Sequence, residues 1–568
     1  MMLVSCNAEN TEKLPSSEGL LFEPYGTGTC VLAGIGSCTD KNVTVPEYSP
    51  NGEKVIAVKA DAFKENSSIE SIVLPQSVER INDNAFRNAA KLVSIDIGGA
   101  KAICRSAFYG CTSLKTLKLG SALAEIGTEA FQNCTSLESL VIPKNVTKIG
   151  DYAFSGNAKL SSITISESVQ TIGAFAFQNC TDFNSLTIPK SVRTVGESAF
   201  EYCTKLSSLT VENGVETIEK RAFFNCAAIT EVTLPSTVTK IGEEAFRYCS
   251  SIKKAELSKN IRQMGDRAFA DCTEISELKL NEGISFIGAG AFSNCKSLTS
   301  LDIPASVLSI GASAFHECEN LAEVTLHEGL KSINGFSNCT SLTNIDIPKS
   351  VKSIGAYAFS GASALQEVVI PEGVKRIDMF TFSNCTSLRS VTVPSSVNSI
   401  DWGAFELCES LKSIVIPEGV VSLPKRIFTG CKSLETVTLP QTLKEIGYGV
   451  FGGCTSLKEM SIPAGVTSID AGLFAGCTSL VSVTFAAYLE YIPERAFSGC
   501  ESLVSLDIGD KVKLIYERAF ENCKNLVTIG NTSEITGIEA YAFSGCEKLE
   551  KFDLSGKNLG YGSIPWKE

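Results

Sequence analysis

Residues Cys134 to Phe154, CTSLESLVIPKNVTKIGDYAF, decide how this chain is read. The final Phe of that stretch is one of a series: Phe63, Phe86, Phe108, Phe131, Phe154 and onward to Phe543. There are 22 such marks, and 19 of the 21 gaps between them are 23 residues. The exceptions are a gap of 22 before Phe108 and one of 21 before Phe336. A period of this length marks a solenoid, in which each repeat is one coil and buries its apolar face only against its neighbours. A chain of 568 residues would otherwise suggest several globular domains. The expected fold class is therefore a repeat solenoid, mainly β, of about 22 coils with short parallel strands and tight or 3-10 turns.

Within the coil, L-x-x-I-x-I ends in two alternating apolar residues, the period-2 mark of a strand with one buried face. Pro follows in many coils (Pro143, Pro189, Pro235), where it ends the strand because it has no N–H for the next ladder. V-x-x-I-G then reads as a second short extended stretch, and A-F-x-x-C as a tight corner. Two residues after the marker Phe, 17 of 22 coils carry Gly, Asn or Asp, which tolerate left-handed backbone. Burying one Phe contributes roughly 1.5–3 kcal/mol, so the stacked rings should be the main stabiliser. At about 4.8 Å per coil, 22 coils would make a rod or arc on the order of 100 Å long. Ser94 to Phe108 is one residue short, with Cys104 in the usual Gly place. Ser332 to Phe336 is two short, and a local kink is expected at each.

The 22 cysteines suggest a disulfide scaffold until their positions are read. Eighteen sit three residues after a marker Phe, from Cys111 to Cys546, and Cys38 holds the same place in an imperfect leading coil. Asn66, Ala89, Asn157 and Ala362 fill the slot in the remaining coils. A slot that accepts Cys, Asn or Ala is small and inward-facing. Stacked coils make neighbouring Cβ vectors parallel, which forbids a bridge, so free buried thiols are expected.

Net charge is −13 and the estimated pI about 5.0, which disfavours nucleic acid and anionic lipid. No run of 18 apolar residues offers a membrane-spanning helix. Residues 1–19 read as a flexible tether and residues 20–61 as a capping segment, opened by a hairpin signal around Gly26-Thr27-Gly28-Thr29. The solenoid occupies 62–554, and residues 555–568 are a tail in which Trp566 is a candidate plug. Leu3-Val4-Ser5-Cys6 is similar to the lipobox of bacterial lipoproteins, which makes Cys6 a candidate lipid attachment. Only Met1 and Met2 precede it, so the export signal is incomplete. Either an upstream part is missing from this sequence, or the match is chance.

The blocks L-x-x-I-x-L-P, V-x-x-I-G and A-F-x-x-C/N at 23 residues resemble the BspA-like leucine-rich repeats over about Cys38 to Leu554. The resemblance implies a curved leucine-rich-repeat solenoid displayed outside the cell. It also implies a role as an adhesin for protein or glycoprotein ligands on host matrix, epithelial or microbial surfaces.

Chemistry finds little support in the residues. The only histidines are His316 and His327, and both read as solvated side chains rather than as members of a triad. The Cys column offers one thiol per coil and no second donor at fixed spacing, so neither metal nor cofactor is expected. The protein is expected not to be an enzyme. Binding is the better prospect. Outward strand positions such as Thr164, Thr187, Thr210 and Thr233 suit a parallel ladder for structural reasons, or else offer a shallow polar surface. In the turn before the marker, five successive coils carry Tyr357, Phe380, Trp402, Arg426 and Tyr448. These residues are either lateral packing that shields the corner or a partner-binding strip. The function expected is a non-enzymatic surface binding protein; the alternative is a structural spacer or coat protein without a specific ligand.

Overall fold

The computed structural model describes residues 15–486 and 489–565. Cys6 and Trp566, on which the lipid-anchor and plug readings fall, lie outside the described residues. The chain divides into two compact units, Met1–Ile252 and Lys253–Glu568, built from the same coil. Each is a mainly-β solenoid, and the two contain about 23 coils. Among the described residues there is no helix, and so none long and apolar enough to cross a membrane.

The first unit opens with β1 (Leu21–Pro24) and β2 (Thr29–Gly34), an antiparallel hairpin. Next come β3 (Asn42–Thr44) and β4 (Lys54–Val58). β2 pairs in parallel with β4, and β4 with Arg80–Ile81, so the hairpin feeds directly into the repeat ladder. β3 pairs in parallel with Ser71–Val73 in the same way.

A typical coil contributes two short strands, such as Ser139–Val141 and Lys148–Ile149. Each pairs in parallel and in register with its equivalent one coil on: Leu140 faces Ile163, and Ile149 faces Ile172. Leu140 and Ile142 are buried while Val141 between them is exposed, as alternation on a half-buried strand requires. Between the strands, Val146 N–H donates to the Pro143 carbonyl at 3.1 Å, closing the turn that Pro opens.

The A-F-x-x-C corner takes the first of the two expected forms. It is a run of tight turns with no 3-10 helix. In the coil of Phe223, three overlapping i to i+3 bonds follow one another: Ala222 to Glu219, Phe224 to Arg221, and Cys226 to Phe223. The third residues of the first and last turns are Arg221 and Asn225, at φ 54° and 55°. Positive φ at that place is the mark of a type II turn and is closed to 3-10 helix. Glu65, Tyr202, Tyr248, Glu317 and Leu407, which lack the expected Gly, Asn or Asp after the marker, are left-handed all the same. The backbone is held there from outside: Arg221, Phe223 and Asn225 donate their N–H groups to Glu243, Ala245 and Arg247 of the next coil at 2.8–2.9 Å. Three inter-coil bonds per corner offset the roughly 1–2 kcal/mol that an L-residue costs in this region.

The marker rings form columns. In the first unit, Phe63 to Phe246 stack with centroids 5.0–5.4 Å apart and planes within 10°. In the second, spacings from Phe269 to Phe543 reach 5.9 Å. All described cysteines are free, and apart from Cys38 all are buried.

The two short coils do not kink the ring columns. Phe108 stacks on Phe86 and Phe131 at 5.0 Å with planes 4° and 1° apart. Phe336 stacks on Phe315 and Phe359 with planes 8° and 9° apart. In the Ser332–Phe336 coil the missing residues come out of the first turn of the corner. Asn334 and Gly335 supply the carbonyls that accept from Ser313 and Phe315, and the ladder is preserved. The ladder also runs past Leu554, where the stack was expected to end. Asn558–Leu559 pairs in parallel with Gly537–Ile538, and Phe543 N–H donates to the Ser563 carbonyl at 3.0 Å. Ile564 thereby takes the marker position, as Ile35 does ahead of Cys38.

Candidate functional site

The five strip residues all lie in the second unit, on the corner just before the marker column. Tyr357, Phe380 and Arg426 occupy the left-handed place two residues before a marker, at φ 59°, 53° and 61°. Trp402 and Tyr448 stand one residue earlier, each followed by a Gly in the left-handed place (Gly403 and Gly449). Their backbones are rungs of the corner ladder: Tyr357 N–H reaches Met379 O at 3.1 Å, Phe380 N–H reaches Trp402 O at 2.9 Å, and Arg426 N–H reaches Tyr448 O at 2.9 Å. This arrangement holds the side chains outward on a backbone that cannot easily move.

The side chains form two linked groups. Tyr357 and Phe380 stack at 5.2 Å with planes 23° apart. Phe380 then lies over the turn at Gly403, where a Cβ would overlap its Cε1. Lys425 places its Nζ 3.6 Å from the centre of the Trp402 ring, a cation–π contact. Arg426 is tied to the nearly buried carboxylate of Glu406. Tyr357, Trp402 and Tyr448 nonetheless remain 48%, 44% and 52% exposed. Beyond Tyr448 the corner hollows into a cavity of about 600 Å³ lined by small residues, among them Gly449, Gly452, Gly472 and Ala475.

Several of these features escape a reading of the sequence. Lys425 and Glu406 carry no motif. The hollow shows in the sequence only as Gly452 and Ala475, in a column that holds Gln132, Gln178 and Phe224 in some coils and Ser293, Ser360 and Ser498 in others.

The first unit uses the same corner differently. Tyr202, Phe224 and Tyr248 meet edge to face at 5.7 and 5.4 Å, with Arg221 4.0 Å above Phe224 and Arg247 4.6 Å above Tyr248. Arg221 bonds Glu201 at 2.8 Å, and Arg247 bonds Glu244 at 2.6 Å. Here the rings and charges pack on one another, with Phe224 buried and Tyr248 40% exposed.

The histidines are less isolated than expected. His316 Nδ1 lies 2.8 Å from Ser337 Oγ, and its Nε2 lies 3.3 Å from Glu317. Ser337 is buried, however, and a nucleophile there lacks the open approach a substrate carbonyl needs. His327 pairs with the exposed Asp302 at 2.8 Å. Among the described residues no group of three or more His, Cys, Asp or Glu could hold a metal ion.

No curated protein matches the chain. Among solved structures it is similar to a leucine-rich repeat protein from Bacteroides ovatus, at 24% identity over 84% of this chain and 99% of that one, with a TM-score of 0.35. It is similar also to a leucine rich cell surface protein from Faecalibacterium prausnitzii, at 20% identity over 98% and 97% of the two chains, with a TM-score of 0.26. A T. pallidum leucine rich repeat protein aligns at 24% identity over 38% of this chain and 91% of that one, TM-score 0.30. The family described as "BspA type Leucine rich repeat region (6 copies)" matches residues 56–184, 124–253, 170–298, 239–362, 285–410, 334–458 and 444–562. Those overlapping matches take in nearly the whole repeat ladder, and the chain belongs to the BspA-type leucine-rich repeat family.

Proposed function

We propose that this protein is a non-enzymatic, surface-displayed binding protein of the adhesin kind. In this reading it recognises protein or glycoprotein ligands through the strip Tyr357, Phe380, Trp402, Arg426 and Tyr448. The observation that carries the reading is the exposure of large rings on a rigid backbone. Three of them stand about half exposed, while the rungs beneath fix their places. Aromatic and Arg side chains are the usual anchors of protein interfaces, and preorganised ones lose little entropy on binding. Family membership supports both display outside the cell and a binding role. The alternative, a spacer or coat component, leaves the exposed rings without a purpose.

Surface binding measurements on immobilised fibrous matrix glycoproteins, mucin and intact epithelial cells separate the two. Saturable binding to at least one surface is expected. Non-saturable adsorption to all of them alike would favour the spacer.

A further inference from the structure

The hollow beside Tyr448 differs in chemistry from the rest of the strip. Its floor is formed by Gly449, Gly452, Gly472 and Ala475, whose N–H groups are all spent. Gly449 and Gly472 donate to Ala471 and Glu494 of the next coil at 3.0 and 2.8 Å, while Gly452 and Ala475 close turns onto Gly449 and Gly472 at 3.0 and 3.1 Å. The floor therefore offers C–H surface and no free donor. An extended peptide, which binds by adding main-chain bonds to an open edge, finds none here.

The walls are polar. Tyr448 stands on one side, half exposed, its hydroxyl unbonded among the described residues. Arg426 and Arg495 flank the hollow, bonded respectively to Glu406 and to Glu494, the latter at 3.2 Å. Each guanidinium presents five N–H donors and spends only part of them on its carboxylate. The two cations and two carboxylates sum to no net charge, on a chain that is acidic overall. A polyanion gains nothing from such a site.

We infer that this hollow is a subsite for a neutral glycan, one or two pyranose rings lying with an apolar C–H face on Tyr448 and the Gly floor. The ring hydroxyls reach the two guanidinium groups and the Glu494 carboxylate at the walls. A pyranose is apolar on its faces and polar around its rim, which is the pattern of this lining. A cavity of about 600 Å³ lies within the range of small-molecule sites. The inference rests on reading the strip as a binding surface, and it names the ligand class at one end of it.

The test uses the whole chain and a panel of neutral trisaccharides: maltotriose, cellotriose, mannotriose and triacetylchitotriose, with a heparin hexasaccharide as the anionic control. The blocking variant is Gly452→Gln with Ala475→Gln. Gln132 and Gln178 occupy the equivalent place in other coils, and a Cβ at Gly452 meets nothing nearer than 3.4 Å. Titration calorimetry should find saturable binding of at least one neutral trisaccharide, weakened at least tenfold in the blocking variant with its melting midpoint unchanged. Should the blocking variant melt early, Tyr448→Ala replaces it, with the same tenfold loss expected. Binding by none of the four, undiminished binding in the folded variant, or tighter binding of the heparin fragment overturns the inference. If the panel fails while substitutions at Tyr357 and Trp402 still abolish glycoprotein binding, the subsite falls and the strip stands.

Discussion

The Cys226 thiol donates to the carbonyl oxygen of Phe200, one coil back, at 3.1 Å. The same carbonyl accepts the Cys203 N–H at 3.2 Å, so both of its lone pairs are used. The relationship repeats along the stack, for example from Cys134 to Phe108 and from Cys454 to Phe428. Where Asn157 stands in the slot, its Nδ2 reaches Phe131 O at 3.1 Å and makes the same bond. The slot thus takes a small side chain, in most coils one that donates, with Ala89 and Ala362 as the exceptions.

Replacing Cys226 by Ala removes that donor and leaves a buried lone pair unmet. A loss of about 1–2 kcal/mol is expected from urea denaturation. Cys226→Asn should recover part of it, since Asn157 makes the same bond natively through Nδ2 but leaves its own Oδ1 buried without a partner. An Asn variant no better than Ala would mean the slot is chosen for size alone.

Burial raises column thiols such as Cys226 and Cys295 above their ordinary value of 9.0, with Cys249, Cys318 and Cys477 pushed up to about 12. The folded chain therefore keeps protons that the unfolded chain releases. Stability from this source is full below pH 9 and falls as pH climbs toward 12, by about 1.4 kcal/mol per pH unit for each thiol. Urea midpoints should be flat from pH 7 to 8.5 and drop steeply by pH 10. At pH 8 iodoacetamide should reach the partly exposed Cys38 ahead of the column thiols, which should react only once urea unfolds the coils.

Asn225 sits at φ 55°, and its N–H is a rung to Arg247 at 2.8 Å. Asn225→Gly is expected to stay within about 0.5 kcal/mol of the parent, whereas Asn225→Val should cost about 1–2 kcal/mol because a β-branched residue resists left-handed backbone. Thermal midpoints of the pair decide it. Equal melting of Gly and Val variants would show that the corner relaxes.

How much of this was legible in the chain depends on whether a feature repeats. The Phe column, the inward Cys slot and the paired strands all follow from positions that recur every 23 residues, because stacking converts period into contact, while the opening hairpin was legible from its own Gly26-Thr27-Gly28-Thr29 turn. The second left-handed place of the corner was not legible. It holds Tyr152, Phe175, Arg221 and Glu244, which no turn preference singles out, and inter-coil hydrogen bonds impose the conformation on them. The kinks expected at Phe108 and Phe336 failed for a related reason: a turn closed by its neighbours can lose residues while its rungs persist. The strip residues were visible one by one, but the stacking of Tyr357 on Phe380 and the seat of Trp402 under Lys425 depend on side-chain packing between coils.

The most direct measurement takes one immobilised glycoprotein that the parent binds, and sets affinity beside thermal midpoint for two variants. Tyr357→Ala/Phe380→Ala/Trp402→Ala should bind at least tenfold more weakly while melting within about 2 °C of the parent, since its rings lie outside the buried column. Phe382→Ala, which empties one place in that column, should lose about 3–5 kcal/mol of stability and melt clearly earlier. A triple variant that binds as well as the parent, or that loses melting temperature in step with Phe382→Ala, would contradict the assignment of this corner as the binding surface.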